Sequence, residues 1–348
     1  MRSAEALGRA SPRVVVRTLG TTTLGRPSIA AFIGGSATIA DLSRYQALQR
    51  RLADPRLLAA GELPRTLADG KVVVLVTSSI HSTEVGGILS PLVLAQRLVG
   101  GDDAEAALIR RNALTILVPS LNPDGVDIVG GWYKSSLGTP WEGTGPPVLY
   151  HHYTGHDNNR DWYAFTQAET RLVVDSLNGV WHPQVANDIH QQGSAGTRIF
   201  IPPYMDPIEP NIDPILMAGV AQMGKAMTWR LTAQGFPGIA NNTSYDAWTP
   251  ARAYQHYHGA IRILTETASA ALATPTRWRS TRSPRATTST PRPRASISSR
   301  AGRAGRGASA TSCAIRPRRI RRTSRPHRSR RWPRSRGSPG ASRTRRGA

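Results

Sequence analysis

The chain is almost without cysteine. Its single one, Cys313, lies far toward the C-terminal end, so residues 1–276 hold neither a disulfide nor a thiolate ligand. Any metal site there must be built from His, Asp and Glu. Long apolar runs are also missing. The opening stretch MRSAEALGRASPR has no hydrophobic segment of the secretory kind, so export is expected only if translation starts upstream of Met1. The most apolar helix candidate, ILSPLVLAQRLV, is interrupted by Pro91 and too short to span a bilayer, which argues against a membrane partner.

The third absence is acid in the C-terminal segment. From Arg277 to Ala348 there are 23 Arg and no Lys, Asp or Glu. The remaining residues carry 22 basic and 22 acidic side chains, so the formal net charge of +23 belongs entirely to the tail. Of those 72 tail residues, 65 are Arg, Ser, Pro, Thr, Ala or Gly. Such a segment has too little apolar surface to offset its ordering entropy and is expected to be disordered. Residues 1–275 are therefore read as one domain, and 276–348 as a basic low-complexity tail. The abrupt loss of acid and of apolar periodicity is the pattern of a GC-rich gene translated out of frame. The coding DNA beyond Thr274 should then restore strand and helix patterning with balanced charge in another frame; if neither frame does, the tail is a genuine segment. As a genuine segment it would attract nucleic acid, with strong salt dependence.

Before that boundary, strand and helix signals alternate. RVVVRTLG (13–20) and RPSIAAFIGG (26–35) read as paired strands joined by a polar turn. DLSRYQALQRRLADP reads as a helix capped by Asp41 and closed by Pro55. KVVVLVT is a central strand, and helix signals run from Glu84 to about Leu98. ALTILVPSLNPDG reads as a strand and a turn, TQAETRLVVDSLNGV as an amphipathic helix, and PQVANDIHQQG as a strand. DPILMAGVAQMGKAMTWRLTAQG is a long helix and GAIRILTETAS a late strand. The pattern predicts an α/β fold: a mixed, mostly parallel central sheet with helices on both faces.

In such sheets chemistry gathers at the carboxyl ends of strands. The central strand runs straight into His81, with Glu84 three residues later. Alone, H-x-x-E is weak, because an acidic residue at a helix start is favoured by the dipole in any case. His190 strengthens it, since it also ends an apolar strand. Two His and one Glu form the ligand set of an open catalytic zinc site. HDNNRDW (156–162) adds Arg160 beside Asn159, a guanidinium able to fork onto a carboxylate, and Asp157, a candidate to orient a ligand His. Glu266 ends the late strand, where a carboxylate can act as general base on activated water. Taken singly, each has a plainer reading: a satisfied core histidine, a loop ion pair, a solvated strand-end carboxylate.

The ordered set His81-Ser-Thr-Glu84, Asn122-Pro-Asp-Gly125, Asn159-Arg160-Asp161-Trp162, His190 and Glu266 resembles the zinc metallocarboxypeptidases, the carboxypeptidase A-like peptidases, over about residues 12–275. The resemblance implies that residues 1–275 are a catalytic domain of α/β/α carboxypeptidase-like fold with its C-terminal part missing, and a zinc-dependent exopeptidase acting on peptides with a free C-terminal carboxylate. It implies that His81, Glu84 and His190 hold zinc, that Arg160 and Asn159 clamp the carboxylate, that Glu266 is the general base and that Asp157 partners the first ligand His. Tyr245 matches the Tyr that caps the substrate, with Tyr254 and Tyr257 competing for the role. The chain departs from the family in one respect. No Arg lies between Gly125 and Asp157 to polarise the scissile carbonyl, and Lys134 is the only Lys or Arg there. An ammonium serves as a point charge and cannot fork. Competing functions are a zinc amidase or deacylase on the same scaffold, a non-catalytic nucleic-acid binder using the tail, and a form that binds without turnover.

Overall fold

The Val-rich run ending before His81 forms a central strand of an eight-stranded sheet. The computed structural model describes residues 2–151, 156–194, 196–243 and 250–269. All of these belong to the first of two units, 1–287, and none to the second, 288–348. The expected Arg-rich tail, its boundary at 275/276 and Tyr245 therefore lie outside the described residues.

The strands are β1 (Val14–Thr21), β2 (Pro27–Ile33), β3 (Val72–Ser78), β4 (Ala113–Val118), β5 (Val185–Gln192), β6 (Ile199–Phe200), β7 (Ile239–Ala240) and β8 (Ile261–Ala268). They lie in the order β1-β2-β4-β3-β5-β8-β6-β7. The central four, β4-β3-β5-β8, are parallel, whereas β1 with β2, β2 with β4 and β6 with β8 are antiparallel. β3 pairs with β4 on one side and β5 on the other, so the strand order reverses at β3. A crevice opens at such a point beyond the carboxyl ends.

The helices are α1 (Arg2–Ala10), α2 (Ser36–Ala40), α3 (Leu42–Ala53), α4 (Leu63–Asp69), α5 (Val85–Gly100), α6 (Ala104–Asn112), α7 (Pro123–Ser136), α8 (Ala168–Val173), α9 (Gly179–Trp181), α10 (Pro214–Ala233) and α11 (Pro250–Tyr257). Alternating side chains of β2, β3 and β4 feed two cores. Phe32, Val73, Leu75, Leu114 and Ile116 pack with Leu42 and Tyr45 of α3 and with Leu177 and Trp181 on one face. Ala31, Ile33, Val76 and Leu117 pack with Ala95, Leu98 and Val99 of α5 on the other. Each fully buried aliphatic side chain contributes about 1.5–3 kcal/mol, so both layers are held by burial rather than by polar contacts. Among the described residues, no helix is long and apolar enough to cross a membrane.

The sequence expectations hold for the paired first strands, for α3 with Asp41 accepting from the Arg44 amide, for α10 and for β5 and β8. Three differ. Pro91 sits inside α5 without ending it. The turn expected after β4 is the start of α7: Asn122 caps the helix, accepting from the Gly125 amide, and Pro123 occupies the first helical position, where its missing N–H is no loss. The helix expected over TQAETRLVVDSLNGV is α8 and α9 separated by a π-helical stretch, Val174–Asn178.

Candidate metal centre

His81 reaches the crevice through a backbone bend. β3 ends at Ser78, and Ser79, fully buried, takes φ 57°, a left-handed conformation uncommon for a residue with a side chain. Glu84 follows one turn later as the residue before α5, where the helix dipole favours its charge. His190 comes from β5 and is 1 % exposed. In the parallel register it lies opposite Glu266 of β8, so both side chains project from the same face.

The three expected ligands converge. His81 Nδ1 is 2.7 Å from Glu84 Oε1, and His190 Nδ1 is 3.2 Å from Glu84 Oε2. One donor atom from each of His81, Glu84 and His190 lies within 4.8 Å of the other two. The two imidazoles meet edge to face at 5.0 Å between centroids. Their outer nitrogens are held from behind: His81 Nε2 is 2.9 Å from Asp157 Oδ2, and His190 Nε2 is 3.1 Å from Asp188 Oδ2. The Gln191 amide donates to Glu84 Oε2 at 2.9 Å, and the Gly86 amide to the Gln191 side chain at 2.8 Å.

The electrostatics favour a cation. Burial alone pulls the His81 pKa down, but its bonds to Asp157 and Glu84 outweigh that and raise it to about 9. For His190 burial also opposes, and the charges of Asp188 and Glu84 with their hydrogen bonds raise it to about 10. Burial pushes the Glu84 and Asp157 carboxyls up, yet their imidazole partners hold both below the ordinary carboxylate range. Three carboxylates thus concentrate negative potential on two rings that each turn Nδ1 inward. A divalent cation among those atoms takes the place of the ring protons and finds the His₂Glu donors that zinc prefers. The residues present therefore fit the metal that the sequence implied.

Asp157 ties this cluster to the next turn. Its other oxygen accepts from the Asn159 amide at 2.8 Å, and its carbonyl accepts from the Arg160 amide at 2.8 Å, closing a single 3₁₀ turn, Asn158–Arg160. Asn159 is 1 % exposed and its Nδ2 is buried with no hydrogen-bond partner among the described residues. Arg160 is half-buried, with Nη1 donating to the Asn159 carbonyl at 3.2 Å. The Asn122 turn docks on the loop that carries His81 and on Tyr150. Its Nδ2 donates to the Ile80 and Tyr150 carbonyls, and a Cβ on Gly125 would come within 2.4 Å of Ser82 Oγ and 2.5 Å of the Tyr150 carbonyl. Only glycine permits that approach.

Lys134 is not brought to this group. It is exposed in the last turn of α7, and at about 1.5 Å per residue the helix carries it roughly 18 Å from the Asn122 end. Asp188 was absent from the sequence-based set although the signal was there: in a strand, D-x-H puts both side chains on one face. Its further partners, Thr77 from β3 and Arg262 from β8, carried no sequence signal of their own.

A family model described as zinc carboxypeptidase matches residues 2–254. Among solved structures, a metallo-carboxypeptidase from Burkholderia cenocepacia is 16 % identical over 77 % of this chain and 58 % of its own, with a TM-score of 0.50. Carboxypeptidase A from Helicoverpa armigera is 16 % identical over 76 % of this chain and 62 % of its own, with a TM-score of 0.51. At that identity the likeness is one of fold. The chain spans less than two thirds of the length of either structure. No curated protein matches the chain.

Proposed function

This chain belongs to the zinc carboxypeptidase family, a family of metal-dependent peptide hydrolases, and from that premise we propose that it is a zinc-dependent exopeptidase removing the C-terminal residue of peptides. The observation that carries the reading is the convergence of His81, Glu84 and His190 on one point, each imidazole backed by a carboxylate. When bound, zinc supplies Lewis acidity toward the scissile carbonyl and the attacking water.

The chain's own groups do the rest. Glu266, level with His190 on the neighbouring strand, accepts the proton of the attacking water and passes it to the departing amine. Arg160 forks onto the substrate's terminal carboxylate, and the buried Asn159 amide adds a donor. Because Asp157 contacts both His81 and the Asn159 turn, the clamp and the metal position are held in fixed register, which restricts hydrolysis to the last peptide bond. The cap over the substrate is assigned from the resemblance alone to Tyr245, which lies outside the described residues, with Tyr254 and Tyr257 as the competing choices.

Metal analysis together with a panel of blocked dipeptides tests the proposal. The purified chain should hold about one zinc and hydrolyse substrates with a free C-terminus. Amidating that terminus should cost about 2–5 kcal/mol of transition-state binding, or roughly 30-fold or more in kcat/KM, because the half-buried Arg160 guanidinium loses its anionic substrate partner. Equal rates on free and amidated peptides would remove Arg160 and Asn159 from this role.

A further inference from the structure

β5 carries Asn187-Asp188-Ile189-His190, and its period of two sets Asp188 and His190 side by side on one face. Both are buried, at 8 % and 1 % exposure. Asp188 is held from the strands on either side. Thr77, its register partner on β3, donates from Oγ1 to Oδ1 at 2.9 Å, and Arg262 of β8 donates from Nη2 to Oδ2 at 2.7 Å. The same Oδ2 lies 3.1 Å from His190 Nε2. The other ring nitrogen, Nδ1, is the one turned to Glu84.

We propose that Asp188 is the positioning residue for the second imidazole, accepting the Nε2–H of His190 so that Nδ1 is presented bare to the metal. An imidazole with a proton on Nε2 has a lone pair on Nδ1; with the tautomer reversed, Nδ1 carries hydrogen and cannot ligate. Thr77 and Arg262 fix the carboxylate in place, and the buried guanidinium supplies its counter-charge. His81 and Asp157 form the matching half, also joined through Nε2. The two supports differ in setting: Asp157 stands in a short turn, whereas Asp188 is clamped from the strands on either side of its own.

This inference rests on the zinc reading, and a buried Asp–Arg pair serving only the fold is the competing account. The two separate in the metal's own signals. Zinc affinity is measured by chelator competition, and the site is replaced with Co²⁺ to read its visible absorption. Asp188→Asn removes the negative charge: an oxygen facing Nε2 still accepts its proton but as a weaker neutral acceptor, and an amide group turned to Nε2 would reverse the tautomer. Zinc binding is expected to weaken about 10–100-fold, as for outer partners of ligand histidines generally, and the cobalt spectrum to shift. The single variant strands the Arg262 charge, which can itself unfold the chain. Asp188→Asn with Arg262→Met removes that charge and is expected to keep the fold by circular dichroism while still binding zinc weakly. Thr77→Val deletes one hydroxyl donor and no charge, and should move the spectrum the same way by less. Folded variants with unchanged affinity and unchanged spectrum overturn the role of Asp188 alone. A chain that takes up neither Zn²⁺ nor Co²⁺ before any substitution overturns the zinc reading and this inference with it.

Discussion

A His190→Ala chain is expected to lose its tightly bound zinc, and with it hydrolysis down to background. Structural zinc sites bind with about 10–16 kcal/mol shared among four protein ligands, so one ligand is worth roughly 2.5–4 kcal/mol, or about two to three powers of ten in affinity. His190 gives its Nδ1 to the cluster from a strand that cannot shift to compensate, because β5 is paired on both sides. The Asp188–Arg262 pair remains intact in the variant, so the fold should survive, and circular dichroism checks that. Metal content after dialysis decides the matter. Stoichiometric zinc in a folded His190→Ala chain would end the enzyme reading.

Glu266→Gln should have the opposite signature: zinc retained, turnover lost. Gln keeps the shape of the side chain and a hydrogen-bonding oxygen but cannot accept the proton. A positioned general base contributes about 10²–10⁴-fold, so kcat should fall by that factor while KM changes little. Glu266 is not one of the three converging ligands, and its place opposite His190 sets it beside the metal position rather than in it. A variant with normal kcat, or one that loses metal along with activity, would remove Glu266 from the role of base.

Much of this was legible in the sequence for one reason. Buried parallel strands are written as Val- and Ile-rich runs, and β3, β5 and β8 each end where the run gives way to polar residues. His81 stands just past the first of those ends and His190 and Glu266 just before the other two, so the strand pattern placed them near one edge, and the resemblance supplied their expected roles. What was missed has equally local causes. Asn122-Pro-Asp-Gly125 carries turn residues that are also helix-start residues, and the start of α7 used them in the second sense. Lys134 is the only Lys or Arg where the family carries an Arg, and its place in the last turn of α7 sets it roughly 18 Å along the helix from the Asn122 end. β6 and β7 are two residues each, too short to leave a pattern. The π-helical stretch that splits α8 from α9 has no period of its own to detect. Asp188 lay inside a strand already accounted for, and its meaning depends on Thr77 and Arg262, which are 111 and 74 residues away in sequence.

The position of β8 has a consequence for the order in which the molecule comes into being. It is the last strand described, yet it lies inside the sheet, between β5 and β6. β6 and β7 are synthesised earlier but join the sheet only through it. As the chain leaves the ribosome, β1 to β5 can pair and bring His81, Glu84 and His190 together before β8 exists. Glu266 and the Arg262 that braces Asp188 arrive on that strand, and long-range insertion of this kind is slow. The growing polypeptide can therefore bring the three converging side chains together before it makes the strand that carries Glu266, and the proposed base is the last member of the site to arrive.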